Sequence, residues 1–362
     1  MSKAIIFSDL HLHNHKDGVD RLQNCLDVLE WIFEEAKKNN CDYIFFLGDL
    51  FHERAKIDVK NYLKTFEIFM KHMLHENRNM NMYLLVGNHD MYHKETWDVN
   101  SIKPFSAIPN VHIIDKPQQI SFGKRKIDWI PYTNNPVEEL IELKKSNKGS
   151  GEVLLGHLAV DGALLNLCYG TKSDVIVEYD NDMVAVNEVI FEDWKMVFLG
   201  HYHGSQQIGN IEYVGSPLQL TFGEAFQQKH IILLDLNTLK KEYIINDFSP
   251  KHFIVEQKDI EDENYNLNGN FVRLTVDSMS SKDLIHFKKD IAEKYKFLTL
   301  DTKQKERKKE DDQVFIDNAN SAIINIDQML EKYIKERGVP EGIDEKTLLL
   351  KGKKCLENKV LS

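Results

Sequence analysis

Seven residues of metal-ligating type, set in five short motifs, carry most of the chemistry this sequence offers. The motifs are Asp9-Leu10-His11, Gly48-Asp49, Gly87-Asn88-His89-Asp90, Gly156-His157 and Gly200-His201-Tyr202-His203. Each stands where an apolar run stops abruptly, which predicts the C-terminal tip of a strand, the place where α/β folds gather their sites. Glycine just ahead of several of them lets backbone approach closely. A lone Asp-x-His, or a lone loop histidine, is usually structural. Five such fragments in order at strand ends are not so easily dismissed. Mixed Asp, Asn and His donors suit two borderline ions such as manganese, iron or zinc, and make a poor calcium cage. Two cations roughly 3.5–4 Å apart would offset charge on a phosphodiester and hold a hydroxide acidic enough to exist near neutral pH. One carboxylate must then serve both ions, and Asp49 is the candidate.

These tips need strands behind them. Lys3–Asp9, Tyr43–Asp49, Met82–Val86, Val111–Asp115 and Lys126–Tyr132 read as strands, followed by Glu152–Gly156, Met196–Gly200, Glu212–Gly215 and His230–Leu236. Val19–Asn39 reads as an amphipathic helix with Leu22, Leu26, Leu29 and Phe33 on one face, and a second helix runs from about Ile57 to Glu76. That order predicts an α/β fold, a two-sheet sandwich with flanking helices over residues 1–250. Beyond it, Phe271–Val276, a helix through Ser281–Tyr295 and Phe297–Asp301 predict a small β-α-β unit at 251–301. Thr302–Asp312 is a charge run, read as a solvated linker. Residues 313–362 are expected to form a helical tail, with an apolar stripe on Ala322–Glu336 and a short helix at about Asp344–Asn358.

The chain has 362 residues, 42% hydrophobic and 28% charged, which is ordinary globular composition. No run approaches the roughly 20 apolar residues that span a bilayer, and the N-terminal apolar run is too short for a secretory signal. Four scattered cysteines without a CxxC pair suit a reducing compartment. A cytoplasmic protein is expected, in the host cytoplasm if a phage encodes it. The net charge of −11 disfavours coating of nucleic acid by bulk positive charge. It does not disfavour an acidic site whose cations supply that charge.

The ordered set DLH, GDLFH, GNHD, GH and GHYH resembles the calcineurin-like metallophosphoesterases, and within them the SbcD nuclease family with its archaeal, eukaryotic and phage counterparts. The resemblance covers about residues 3–245. It is strengthened by the apolar pair and histidine of Gly48–His52, by the segment opening at His157, and by YVGSPLQLTFGE at Tyr213–Glu224. It implies that Asp9, His11 and His203 hold one metal, that Asn88, His157 and His201 hold the other, and that Asp49 bridges. It implies a catalytic role for His89 just outside the metals, stabilising the transition state or protonating the leaving oxygen, with His52 orienting His89 or the phosphate. The family usually has glycine where His13 stands, so His13 either lines a DNA channel or faces solvent. The segment around Tyr169–Asp193 has no clear counterpart.

From the same resemblance come two divalent ions, manganese first, DNA as substrate, a homodimer, and a coiled-coil ATPase of the SbcC type as partner. Residues 251–301 would then be a capping domain and the tail the ATPase-docking element. The stripe Tyr62, Phe66, Phe69 and Met73 lies in the region through which that family dimerises, and reads equally well as core. Lys124, Arg125 and Lys126 are either phosphate contacts or a solvated turn. The expected function is therefore a DNA exonuclease and endonuclease acting on DNA ends. A nucleotide or cyclic-nucleotide phosphodiesterase on the same fold is the alternative. Protein phosphatases of this superfamily usually read GDxVDRG and GNHE, whereas this chain reads GDLFHER and GNHD.

Overall fold

The computed structural model describes residues 2–15, 21–76, 79–164, 185–261 and 265–305, all within one compact unit, residues 1–305. The expected helical tail, most of the charged linker and much of the Tyr169–Asp193 segment lie outside the described residues.

In chain order the elements begin with Lys3–Phe7 (β1), Leu22–Lys38 (α1), Tyr43–Phe46 (β2), Val59–Phe69 (α2), Asn81–Leu85 (β3), Val111–Ile114 (β4), Gln118–Phe122 (β5) and Arg125–Ile130 (β6). Then come Pro136–Ser146 (α3), Val153–His157 (β7), Met196–Gly200 (β8), Gln206–Ile208 (β9), Ile211–Tyr213 (β10), His230–Asp235 (β11) and Lys241–Ile245 (β12). The chain continues through His252–Glu256 (β13), Phe271–Val276 (β14), Ser281–Lys294 (α4) and Thr299–Gln304 (β15).

Two six-stranded sheets face each other, in the orders β12-β11-β1-β2-β3-β4 and β5-β6-β7-β8-β10-β9. The pleat sorts the side chains of β1: Ala4 and Ile6 join Phe45, Leu47, Trp129, Leu155 and Phe198 between the sheets, while Ile5 and Phe7 turn to α1 and α2. Both faces of these strands are therefore covered, which is why they read as unbroken apolar runs. Helix α1 buries Leu22, Cys25, Leu26, Leu29, Ile32, Phe33 and Ala36 at helical spacing. Asp58 caps α2 by accepting from the Lys60 and Asn61 amides.

The expected stripe, on α2 and the helical turn that continues it, Met70–Glu76, is mostly core. Phe69 and Met73 are buried, and Tyr62 and Phe66 gather around Phe105, with ring centroids 5.5 and 5.7 Å away. The exposed apolar residues of this helix are others, Val59 and Leu63. The sandwich reads as expected, with four additions, one of them the short strand β9. Strand β5, helix α3 and the edge strand β12 were not separated from loops by pattern alone.

Residues 251–305 form a separate three-stranded sheet, β13-β14-β15, all parallel, with α4 against it and a small core of its own around Val255, Leu267, Val272 and Leu274. Strand β15 runs on to Gln304, so the first residues of the charge run are strand, with polar side chains alternating outward. The β13 strand completes a unit read from sequence as β-α-β only.

Candidate metal centre

Strands β1, β2 and β3 are parallel in one sheet, and β6, β7 and β8 are parallel in the other. Their C-terminal ends deliver all five motifs to one edge of the sandwich. The backbone there is unusual. Asp9, His11, Asp49 and His201 have φ of 52°, 44°, 63° and 102°, left-handed values that side chains other than glycine rarely adopt and that cluster at functional sites. Two glycines make room. Gly48 turns with φ 103°, and a Cβ on Gly87 would stand 2.2 Å from Asp49 Oδ1.

Two sets of donors converge. In the first, His203 Nε2 and His11 Nε2 are 3.0 Å apart, and Asp9 Oδ1 is 3.9 Å from His11 Nε2. In the second, Asn88 Oδ1 lies 2.9 Å from His157 Nε2 and 3.2 Å from His201 Nδ1. Asp49 stands between them, its Oδ2 being 3.6 Å from His11 Nε2 and 3.5 Å from His157 Nε2. Asp9, Asp49 and His157 together, and Asp9, His11 and His203 together, place ligand atoms within 4.8 Å of one another. Asp9, His11, Asp49, Asn88 and His157 are buried, and a concentration of buried carboxylates and imidazoles without a local cation is costly. The donor set and its convergence fit two divalent ions.

The electrostatics say the same. Burial alone would keep His157 neutral, but the charges of Asp49 and Asp9 push its pKa up to about 9: the carboxylates call for positive charge at this point. Burial, with His203 nearby, pulls His11 well below its usual range, and burial beside His157 brings His201 down to about 3. Burial raises Asp9, whereas Asp49 is held well below the carboxylate range against its burial, chiefly by His157. Neutral imidazoles are the form that binds metal.

Several of these donors are held by partners. His157 Nδ1 donates to the Leu47 carbonyl at 2.7 Å, leaving Nε2 to face the site. His201 N donates to both oxygens of Asp9 at 3.1 and 3.0 Å, and His89 N donates to Asp49 Oδ1 at 2.8 Å. Sequence reasoning missed several of these supports. Asp90, fully buried, accepts from the amides of Asp49 at 2.8 Å, Leu50 at 3.0 Å and Gly87 at 3.0 Å, which ties two of the motifs together. Burial and Asp49 push its pKa up to about 7. Glu224 accepts from His203 Nδ1 at 3.3 Å and lies 2.6 Å from Lys229 Nζ, both residues being buried. The YVGSPLQLTFGE segment was the one available signal for Glu224; nothing marked Lys229.

The residues expected just outside the metals are also here. His89 Nδ1 donates to the His52 carbonyl oxygen, and the two rings stack with centroids 5.7 Å apart. His52 thus holds His89 through its backbone, while its own Nδ1 is 3.4 Å from His11 Nδ1. Burial and His89 lower His52 to about 4. His13 stands farther out: its Nε2 is 3.3 Å from Glu53 Oε1 and its ring 5.1 Å from that of His52, so it sits on the rim. The Lys124–Lys126 turn does not reach the site. It opens β6, at the opposite end from His157, and Arg125 is engaged by Glu152 and by the Leu236 carbonyl at 2.8 Å.

Comparisons with known proteins agree with this geometry. The family described as "Calcineurin-like phosphoesterase" matches residues 2–205. Exonuclease subunit 1 of Enterobacteria phage T4 is 27% identical over 225 residues, 61% of this chain and 61% of the phage protein. The SbcD component of nuclease SbcCD from Staphylococcus saprophyticus is 24% identical over 312 residues, 79% of this chain and 77% of that protein. Its namesake from Escherichia coli strain K12 is 22% identical over 280 residues, 66% of each chain.

Proposed function

The chain belongs to the calcineurin-like phosphoesterase family, and from that premise we propose that it is the nuclease component of an SbcCD-like complex, hydrolysing DNA phosphodiesters at DNA ends. The observation that carries this reading is Asp49 Oδ2, nearly equidistant from His11 Nε2 and His157 Nε2, between two converging donor sets. Asp9, His11 and His203 would hold one divalent ion, Asn88, His157 and His201 the other, and Asp49 both. Bound there, such ions supply an activated water and charge neutralisation at phosphorus, with manganese the first to try.

The remaining work falls to the chain's own groups. His89 has its Nδ1 committed to the His52 carbonyl, so the ring is fixed and Nε2 is available to a phosphate oxygen or a leaving oxygen. His52 positions His89 through that carbonyl. His13, paired with Glu53 on the rim, would meet the nucleic acid before the metals do. A net charge of −11 argues that this chain gains its DNA affinity as a homodimer and from a coiled-coil ATPase partner, with residues 251–301 as a cap over the site. Among the described residues no helix is long and apolar enough to cross a membrane.

The test is degradation of a labelled linear duplex with manganese, comparing wild type with His89→Ala, with and without the ATPase. Cleavage lost in the variant supports the reading. Hydrolysis of a chromogenic phosphodiester without DNA cleavage in any of these mixtures would transfer the proposal to a nucleotide phosphodiesterase.

A further inference from the structure

One short turn touches both the small domain and the candidate metal centre. Thr221–Glu224 is a single helical turn, closed by the Glu224 amide donating to the Thr221 carbonyl at 3.1 Å and the Gly223 amide donating to Thr221 Oγ1 at 3.2 Å. Phe222 faces the small domain. The Arg273 guanidinium lies 4.2 Å above its ring, and His252 meets it edge-on at 4.8 Å. His252 in turn stacks on Phe271 at 4.7 Å. These three residues belong to β13 and β14. Two positions on, Glu224 faces the other way. One carboxylate oxygen accepts from His203 Nδ1 at 3.3 Å, and the other takes Ser216 Oγ at 3.0 Å and Lys229 Nζ at 2.6 Å. Lys229 also donates to the His203 carbonyl at 2.8 Å, so His203 is gripped at ring and backbone by one buried ion pair.

We propose that Glu224 is a positioning residue for the metal ligand His203, and that the small domain sets Glu224 through its grip on Phe222. The inference rests on the reading of His203 as a metal ligand. A carboxylate accepting from Nδ1–H fixes the tautomer, orients the ring and makes Nε2 a stronger donor. A turn this short has no slack: moving Phe222 with the domain must move Glu224. A cavity of about 600 Å³ lies beside this contact, between the two domains, lined by Gln227, Lys229, Asn246, Lys251, Phe253 and Asn270. Open space thus borders the contact, and Lys229 forms part of the cavity wall. A shift of the small domain would loosen or tighten one metal site through this turn.

The experiment is a manganese titration of the full chain followed by electron paramagnetic resonance, giving the number and affinity of bound ions. His203→Ala serves as the reference and must weaken one of two sites. If it binds manganese as wild type does, the ligand map fails, and this inference with it. Given that reference, Glu224→Gln should weaken the same site by roughly 10–100-fold while leaving the other unchanged, as expected for loss of an outer partner of a metal histidine. Glu224→Asp should recover part of the loss. Phe222→Ala and Arg273→Ala, which touch neither ion nor ligand, should weaken that site by a smaller factor. Unchanged affinity in Glu224→Gln overturns the positioning role. Unchanged affinity in both Phe222→Ala and Arg273→Ala overturns the link to the small domain. Should Glu224→Gln fail to fold because Lys229 is left buried and underpaired, Glu224→Gln with Lys229→Met removes both charges together and is read against Lys229→Met alone, which keeps Glu224 on His203.

Discussion

His157 and His252 are both fully buried, one in the metal centre and one where the small domain meets the sandwich, and their protons behave in opposite ways. Burial beside Arg21 takes His252 down to about 3, and neither of its ring nitrogens has a hydrogen-bond partner. Equal burial leaves His157 at about 9, because Asp49 and Asp9 lie beside it and the Leu47 carbonyl accepts a hydrogen bond from its Nδ1–H. Burial by itself expels charge; a buried carboxylate recruits it. The first arrangement makes an inert joint, stacked on Phe271. The second makes a place for cations.

Asp49→Ala should break the contrast most completely. With the shared carboxylate gone, both ions should be lost and nuclease activity should fall to background, while His157 should drop toward the behaviour of His252. Metal analysis and histidine NMR titration check it, and retained metal in Asp49→Ala would refute the ligand map. Next in size, His89→Ala should reduce turnover by roughly 10²–10⁴-fold with both metals retained, the range for loss of a positioned acid or base. Metal content measured beside single-turnover rates separates that outcome from site collapse.

The joint predicts a smaller, pH-dependent effect. Unfolded, His252 titrates near 6.5; folded, it stays neutral to about 3. Its contribution to stability is thus complete above pH 6.5 and is lost as pH falls from 6.5 toward 3, by about 1.4 kcal/mol per unit. Urea unfolding at pH 7.5 and 5.5 should show wild type losing about 1.4 kcal/mol more than His252→Phe. An equal loss in the two would mean that His252 finds a partner or water. Smallest of all, His13→Gly should leave metal binding intact and change DNA KM by only a few-fold, since His13 sits on the rim against Glu53.

Much of the centre could be read before the fold was known, for a physical reason. Strands buried on both faces are unbroken apolar runs, so their ends are sharp, and Asp9, Asp49, Asn88, His157 and His201 stand at those ends or within a few residues of them. The supports were harder to read. Glu224 is marked in sequence only by its place at the end of YVGSPLQLTFGE, Lys229 looks like an ordinary surface charge, and only folding buries them against each other. Asp90 sits in a conspicuous motif, yet its acceptance of three amides depends on where β2 and β3 end in space. Exposed or edge segments such as β12 and β5 carry mixed patterns, because one side faces water and leaves no periodic trace strong enough to fix them.

The place of β1 in its sheet has a consequence for how the protein is made. On one side β1 pairs with β2, available early, but its other edge is closed by β11, residues 230–235, and Asp9 is met by the amide of His201. At a synthesis rate of about 5–20 residues per second, the ribosome needs tens of seconds to bring those partners out. Until then β1 has an open edge, and until residue 203 is out the centre lacks His201 and His203. The two halves of the centre, far apart in sequence, can therefore meet only late in synthesis.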